Sequence, residues 1–413
     1  MRTLTPSRIP AALIAFSFMA ALVANAQTYT TLATFNGANG DGPYYGSLVQ
    51  GANGNFYGTT TTGGDIATSC SNGQGFDCGT VFELTPGGSL TTLYTFCSLV
   101  NCADGLLPSS GLTLARDGNF YGTTGEGGAN FGGGTIYKIT PAGQLTTLHS
   151  FCAQLNCTDG SYPFAGLMQA SNGNFYGTTL QGGTYNQGVI YQISPTGTYK
   201  VLHSFCAQTN CTDGSGSIAG LMQASNGRLY GTTPSGGVSG AGTVFTITPA
   251  GKFQTLHSFV ITDGSSPYSA LVQTSSGAIY GTTFSGGLRN DGTIFEMTAE
   301  GTLKTIYNFC VAAYCSDGAN PAAGLTAGAN GGLYGTTESG GMNFRGNVFE
   351  ITPSGRLKTI YSFCSQTNCA DGSTPLAGVV QASDSTLYGT TFLGGDLSCG
   401  PPTGCGVLFS LTQ

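Results

Sequence analysis

The sequence has no tryptophan and only three histidines, and Asp, Glu, Lys and Arg make up 8% of its 413 residues, against about 25% in an ordinary soluble domain. Each shortage excludes something. Lys and Arg number 12 against 19 Asp and Glu, so the basic footprint that nucleic acid requires is missing and no nucleic-acid partner is expected. Past residue 26 no apolar run approaches the roughly 20 residues of a membrane span. No segment holds a sustained 3.6-residue period, which excludes a helical fold. No serine, cysteine and histidine constellation stands out for nucleophilic catalysis. Without tryptophan, a polysaccharide enzyme loses the side chain best suited to stacking on sugar rings.

Charge of both signs is replaced by other things. Arg2 and Arg8 precede a largely apolar run over residues 9–23, and small residues follow at Ala24 and Ala26. This is the layout of a secretory signal peptide (1–26) cleaved after Ala26; a single-pass anchor is the competing reading, but the run is short and ends at a cleavage pattern. Residues 27–413 are then expected as one exported domain, secreted or periplasmic, monomeric and without a membrane span. Losing the two leader arginines takes the formal charge from −7 to −9. The 68 glycines would suit a disordered chain, yet 11% aromatic residues at regular intervals argue for a packed core. The surface must owe its polarity to Thr, Ser, Asn, Gln and backbone amides.

The tetrapeptide YGTT occurs seven times, its tyrosine at 57, 121, 176, 230, 280, 334 and 388, and each copy leads into a Gly-Gly pair beginning at 63, 127, 182, 236, 286, 340 and 394. The stretch NFYGTTLQGG (174–183) resembles a phosphate-cradling loop only when read alone, because such a loop is used once, at a helix N-terminus. The unit averages about 55 residues, longer than helical or leucine-rich solenoid repeats. Within the third unit, GLMQA, NFYGTT, GVIYQIS and YKVLHSF read as four strands, with SNG and PTG as tight turns between the first and last pairs. Apolar neighbours such as Val81 and Phe82, or Ile136 and Tyr137, put both faces of the third strand in contact with apolar surroundings, as in a sheet sandwiched between other sheets.

These features predict an all-β, seven-bladed β-propeller of four antiparallel strands per blade. The blades are expected near 44–96, 110–151, 165–205, 219–259, 269–309, 323–363 and 377–412. Residues 29–35 match the fourth strand of the unit, and the chain stops at its third. They are therefore expected to pair with 406–412, complete the last blade and close the ring.

LYGTT followed by GG, with units such as NVFEITPSG, resembles the GloVer tandem repeat of secreted bacterial proteins from cyanobacterial and verrucomicrobial genomes. The likeness runs over nearly the whole chain after the leader. It implies the repeat fold and export, and no particular chemistry. Members often carry a C-terminal anchoring signal; none is expected here.

Fourteen cysteines fall into close pairs. Five pairs share one spacing after the fourth strand: Cys97 and Cys102, Cys152 and Cys157, Cys206 and Cys211, Cys310 and Cys315, Cys364 and Cys369. Two more, Cys70 with Cys78 and Cys399 with Cys405, fall between the second and third strands. Zinc competes with disulfides as the reading, but tetrahedral zinc sites usually join two knuckles or add histidines, and each pair here stands alone in its loop. Seven local disulfides are preferred for an exported chain. All of them map to one end of the propeller, which becomes the expected binding surface.

Asp-Gly precedes the first strand of every blade, at Asp41, Asp104, Asp159, Asp213, Asp263, Asp317 and Asp371. These carboxylates are candidates to encircle the channel mouth and hold Ca²⁺. The preferred reading is structural: each accepts N–H bonds within its own turn. No other cofactor is expected. His149, His203 and His257 take the place of Tyr94, Tyr307 and Tyr361 and read as packing residues. Residues that break the repeat carry the candidate site: Asp65, Glu126, Asp291 and Glu338, with Asp77 and Asp396, and Arg289 and Arg345 beside them. Phe131, Tyr185 and Phe344 are available for stacking. The expected function is a binding scaffold for an extracellular glycan or protein. The alternative is a glycan-cleaving hydrolase or lyase using two of these carboxylates about 5 to 10 Å apart.

Overall fold

The computed structural model describes residues 27–64, 78–130, 132–399 and 402–412; the expected signal peptide, Asp65, Cys70, Asp77 and Phe131 lie outside them. Seven antiparallel sheets of four strands each form the ring. In the third blade the strands run outward from the axis in chain order as Met168–Gln169, Phe175–Thr178, Val189–Ile193 and Tyr199–Ser204. The seventh blade takes its outermost strand from the other end of the chain. Thr28–Thr34 pairs antiparallel with Val407–Thr412, in register from Thr28 opposite Thr412 to Thr34 opposite Val407. The expected closure of the ring is therefore the observed one.

Second and third strands are buried on both faces, as the paired apolar residues imply. All five residues of Phe56–Thr60 are buried, and Thr80–Leu84 is buried except at Glu83. The first strands are only two residues long, shorter than the five-residue runs in the sequence, because neighbouring blades touch there at the axis. A Cβ on Gly111 would lie 2.7 Å from the Ser47 carbonyl oxygen, and one on Gly324 would lie 2.8 Å from that of Ala270. Such close backbone approach leaves little length for a regular ladder. Along the fourth strand one residue is extra: Val81 faces Tyr94, whereas Phe82 faces Thr92. The same bulge recurs in other blades, for example between Ile190 and Tyr191, and re-aims the side chain that follows it.

Each letter of YGTT has a structural task. The tyrosine packs against the next blade, with ring centroids 4.2 Å apart for Tyr57 and Phe120 and 4.1 Å for Tyr121 and Phe175. Such stacked pairs contribute about 0.5–1.5 kcal/mol beyond the area they bury. The glycine makes room for the third strand, since a Cβ on Gly58 would sit 2.5 Å from the Phe82 ring. The first threonine reaches the neighbouring blade: Thr59 Oγ1 donates to the Ser110 carbonyl at 2.7 Å, and Thr123 Oγ1 to that of Ala165 at 3.0 Å. The second ties its own sheet, with 2.8 Å between the hydroxyls of Thr60 and Thr80.

Candidate functional site

The two ends of the propeller differ in the loops they carry. Turns between first and second strands and between third and fourth strands are tight, whereas the long loops all emerge at the other end. The disulfides staple that end. Cys97–Cys102, Cys152–Cys157, Cys206–Cys211, Cys310–Cys315 and Cys364–Cys369 close five blade-to-blade loops, and Cys399–Cys405 closes a loop between second and third strands. Cys78 is disulfide-bonded as well, its expected partner Cys70 lying outside the described residues. Two groups bring a carboxylate near sulfur, Asp41 with Cys399 and Cys405, and Asp291 with Cys310 and Cys315. Their sulfurs are in disulfides, so they offer no thiolate to a metal.

The repeated aspartates organise these loops. Asp104 is fully buried. Its Oδ2 accepts the Ser98 N–H at 3.0 Å and the Tyr94 hydroxyl at 2.8 Å, and its Oδ1 accepts the Leu99 N–H at 3.1 Å. Asp371 does the same with Ser365, Gln366 and Tyr361. In three blades histidine replaces the tyrosine: His203 Nε2 stands 3.1 Å from Asp213 Oδ2, and His149 Nε2 stands 3.3 Å from Asp159 Oδ2. Burial holds the His203 imidazole below its ordinary range, although Asp213 pulls the other way. Burial pushes the Asp159 carboxyl up, but His149 and the N–H groups of Ala153 and Gln154 outweigh it and hold that carboxyl below the usual range. The histidines also pack: His203 stacks on Phe253 at 3.9 Å and His149 on Tyr199 at 4.0 Å.

Asp104, Asp159, Asp213, Asp317 and Asp371 each accept two N–H groups of their own loop and reach the outermost strand through its tyrosine or histidine. Sequence reading missed the aspartate's aromatic or histidine partner. Its signal was a constant separation of ten residues in the five stapled loops, as from Tyr94 to Asp104 and from His203 to Asp213. The loop without cysteines shortens it to six, from His257 to Asp263.

Residues that break the repeat are spread over the loop end. Tyr185, half exposed, stands in a groove of about 680 Å³ with Asn156, Tyr162, Gln181, Asn186 and the Cys152–Cys157 bridge. Among the described residues, no charged side chain lines it. Glu126 exchanges backbone hydrogen bonds with Leu106 at 2.9 and 3.1 Å. Arg289, Phe344 and Arg345 are exposed, and Asp291 accepts the Asn320 N–H through its carbonyl at 2.8 Å. Glu338 is half buried, and burial alone raises its carboxyl; no second carboxylate contributes.

Exposed apolar side chains mark the same end. Val100, Leu155 and Tyr314 are each more than 80% exposed at the tips of blade-to-blade loops, and Val238, Leu288 and Met342 project from the loops between second and third strands. Among the described residues, all exposed large apolar side chains belong to these two sets of loops. The axis itself holds a cavity of about 410 Å³, walled by the first strands and by Tyr45, Phe164, Ile218 and Tyr268. No helix in the described residues is long and apolar enough to cross a membrane.

Among solved structures the chain is similar to two extracellular domains described as parts of hybrid two-component systems of B. thetaiotaomicron. One aligns with a TM-score of 0.57 and 12% identity over 92% of this chain and 39% of that one. The other aligns with 0.54 and 13% over 93% and 41%. The chain spans about two fifths of their length, and the likeness shows the fold alone. No curated protein matches the sequence. The sequence model of the Gloeobacter/Verrucomicrobia repeat matches residues 18–215 and again 206–401, and with seven blades built from that repeat, the chain belongs to this family.

Proposed function

We propose that the chain is an exported binding scaffold that holds an extracellular glycan or protein partner on its stapled loop end. One observation carries this reading: the exposed large apolar side chains of the described residues all stand at that end, among them Val100, Leu155 and Tyr314 on loops fixed by disulfides and buried aspartates. Apolar surface gathered on one face of a soluble domain marks an interaction surface, and rigid loops reduce the ordering cost of binding. Disulfides suit an oxidising compartment, and the similar solved domains are extracellular. Exposed apolar tips favour a protein partner. The uncharged groove of tyrosines and amides around Tyr185 favours a glycan.

The test is binding of the labelled protein to bacterial cell-envelope fractions. Val100→Ser, Leu155→Ser and Tyr314→Ser together should abolish binding to a protein, and prior protease treatment of the fraction should do the same. If the partner is a glycan, periodate treatment and Tyr185→Ala should abolish binding instead. Binding that survives all of these changes would refute the assignment of the loop end.

A further inference from the structure

Unlike YGTT itself, the residue that follows it varies among the blades. The seven positions are Thr61, Gly125, Leu180, Pro234, Phe284, Glu338 and Phe392. Only one is charged, and phenylalanines occupy the neighbouring blades on both sides of it. At this position Phe284 and Phe392 meet Tyr268 and Tyr44 beside the axial cavity that Tyr45, Phe164 and Tyr268 wall, and Glu338 holds the same place in the blade between them.

The rings there form connected pairs. Tyr44 lies 4.1 Å from Tyr45 and 5.4 Å from Phe392, and Tyr268 lies 5.2 Å from Phe284, all between ring centroids. The Tyr45 phenol is pushed above the ordinary tyrosine range, by burial first and then by Tyr44, Glu338 and Tyr268. In the blade that supplies Glu338, Ala322 stands at the cavity wall where the preceding blade has Tyr268. Among the described residues, no side chain or backbone N–H donates to the Glu338 carboxylate, and no cation pairs with it.

We propose that the mouth of the central channel is a binding site for a small organic cation, an ammonium group bearing apolar substituents, with Glu338 as its counter-charge and Tyr45, Tyr268, Phe284 and Phe392 as its walls. A partly desolvated carboxylate without a donor is costly, and a ligand that supplies positive charge relieves that cost. Aromatic faces attract such a cation and cover its alkyl groups. A hard metal ion fits poorly, because it requires six or more oxygen ligands and this mouth offers one carboxylate and a few phenols. An anion meets the charge of Glu338. The axial cavity that Tyr45 and Tyr268 line, at about 410 Å³, lies within the range of small-molecule sites, and Glu338, Phe284 and Phe392 stand outside its lining.

The test uses the purified protein and calorimetric titration with choline, benzyltrimethylammonium and 3,3-dimethylbutan-1-ol, the last being the uncharged isostere of choline. The two cations should bind at least about tenfold more tightly than the alcohol. Glu338→Gln should remove that preference while leaving the melting temperature unchanged. Phe284→Leu should weaken both cations and leave the charge preference in place. Equal binding of choline and its isostere, cation binding unaltered in Glu338→Gln, or no saturable binding of either cation up to about 10 mM would each overturn the proposal. Loop-tip substitutions leave this site intact, so its outcome is separate from that of the loop-end assignment.

Discussion

The two ends of the propeller use polar and apolar residues in opposite ways. At the tight-turn end, side chains are engaged in holding the ring. Gln223 accepts the Ser171 N–H of the preceding blade at 2.7 Å, Gln273 accepts that of Ser225 at 2.8 Å, and Asn172 donates to the Tyr176 hydroxyl at 2.8 Å. Even a surface ion pair, Lys138 with Asp117 at 2.8 Å, joins the third strand of a blade to the turn between its first and second strands. At the loop end the polar groups are drawn inward to the buried aspartates, and the apolar side chains point out. Repetition therefore marks what closes the ring, and the binding surface we propose uses positions where the copies differ.

Substitutions sharpen that contrast in a graded way. Phe175→Ala removes a ring that is fully buried between blades against Tyr121; it should cost about 3–5 kcal/mol of unfolding free energy in urea. Asp213→Ala leaves the Ala207 and Gln208 N–H groups without their acceptor and should cost about 1–3 kcal/mol. A larger loss for Asp213 than for Phe175 would invert the ranking of core over loop.

Smaller still is a pH effect at His203. The unfolded His203 imidazole takes up its proton near pH ~6.5, and burial delays this in the folded state. The His203 contribution is constant above that pH and falls as pH drops through it, because the unfolded state then binds more protons. His203→Tyr, the residue used beside Asp104 and Asp371, should remove this slope in melting temperature between pH 7.5 and 5.5. Smallest of all, the loop-tip changes Val100→Ser and Leu155→Ser should shift stability by no more than about 0.5 kcal/mol, since both side chains stand in solvent.

The architecture was legible because it is written seven times. Strand order, turn chemistry and the closing strand at residues 28–34 all follow from the repeated unit and from where that unit is cut at the two ends. The loop geometry was only half legible. Asp104 and its fellows stand out in the sequence, but their partners Tyr94 and His203 lie ten residues away across a closed loop, and only the fold brings them together. The channel mouth was least legible. Glu338 is visible as a departure from the repeat, whereas Tyr45, whose phenol feels its charge, belongs to the first blade and is brought to the same end of the channel only through ring closure.

The central claim is that partners are held at the stapled loop end. The most direct measurement is hydroxyl-radical footprinting of the protein alone and bound to a cell-envelope fraction. The account predicts protection of Leu155, Tyr185, Tyr314 and Met342 with no change at the tight turns around Asn172 and Arg228. Protection centred on those turns, with the loop tips unchanged, would contradict it.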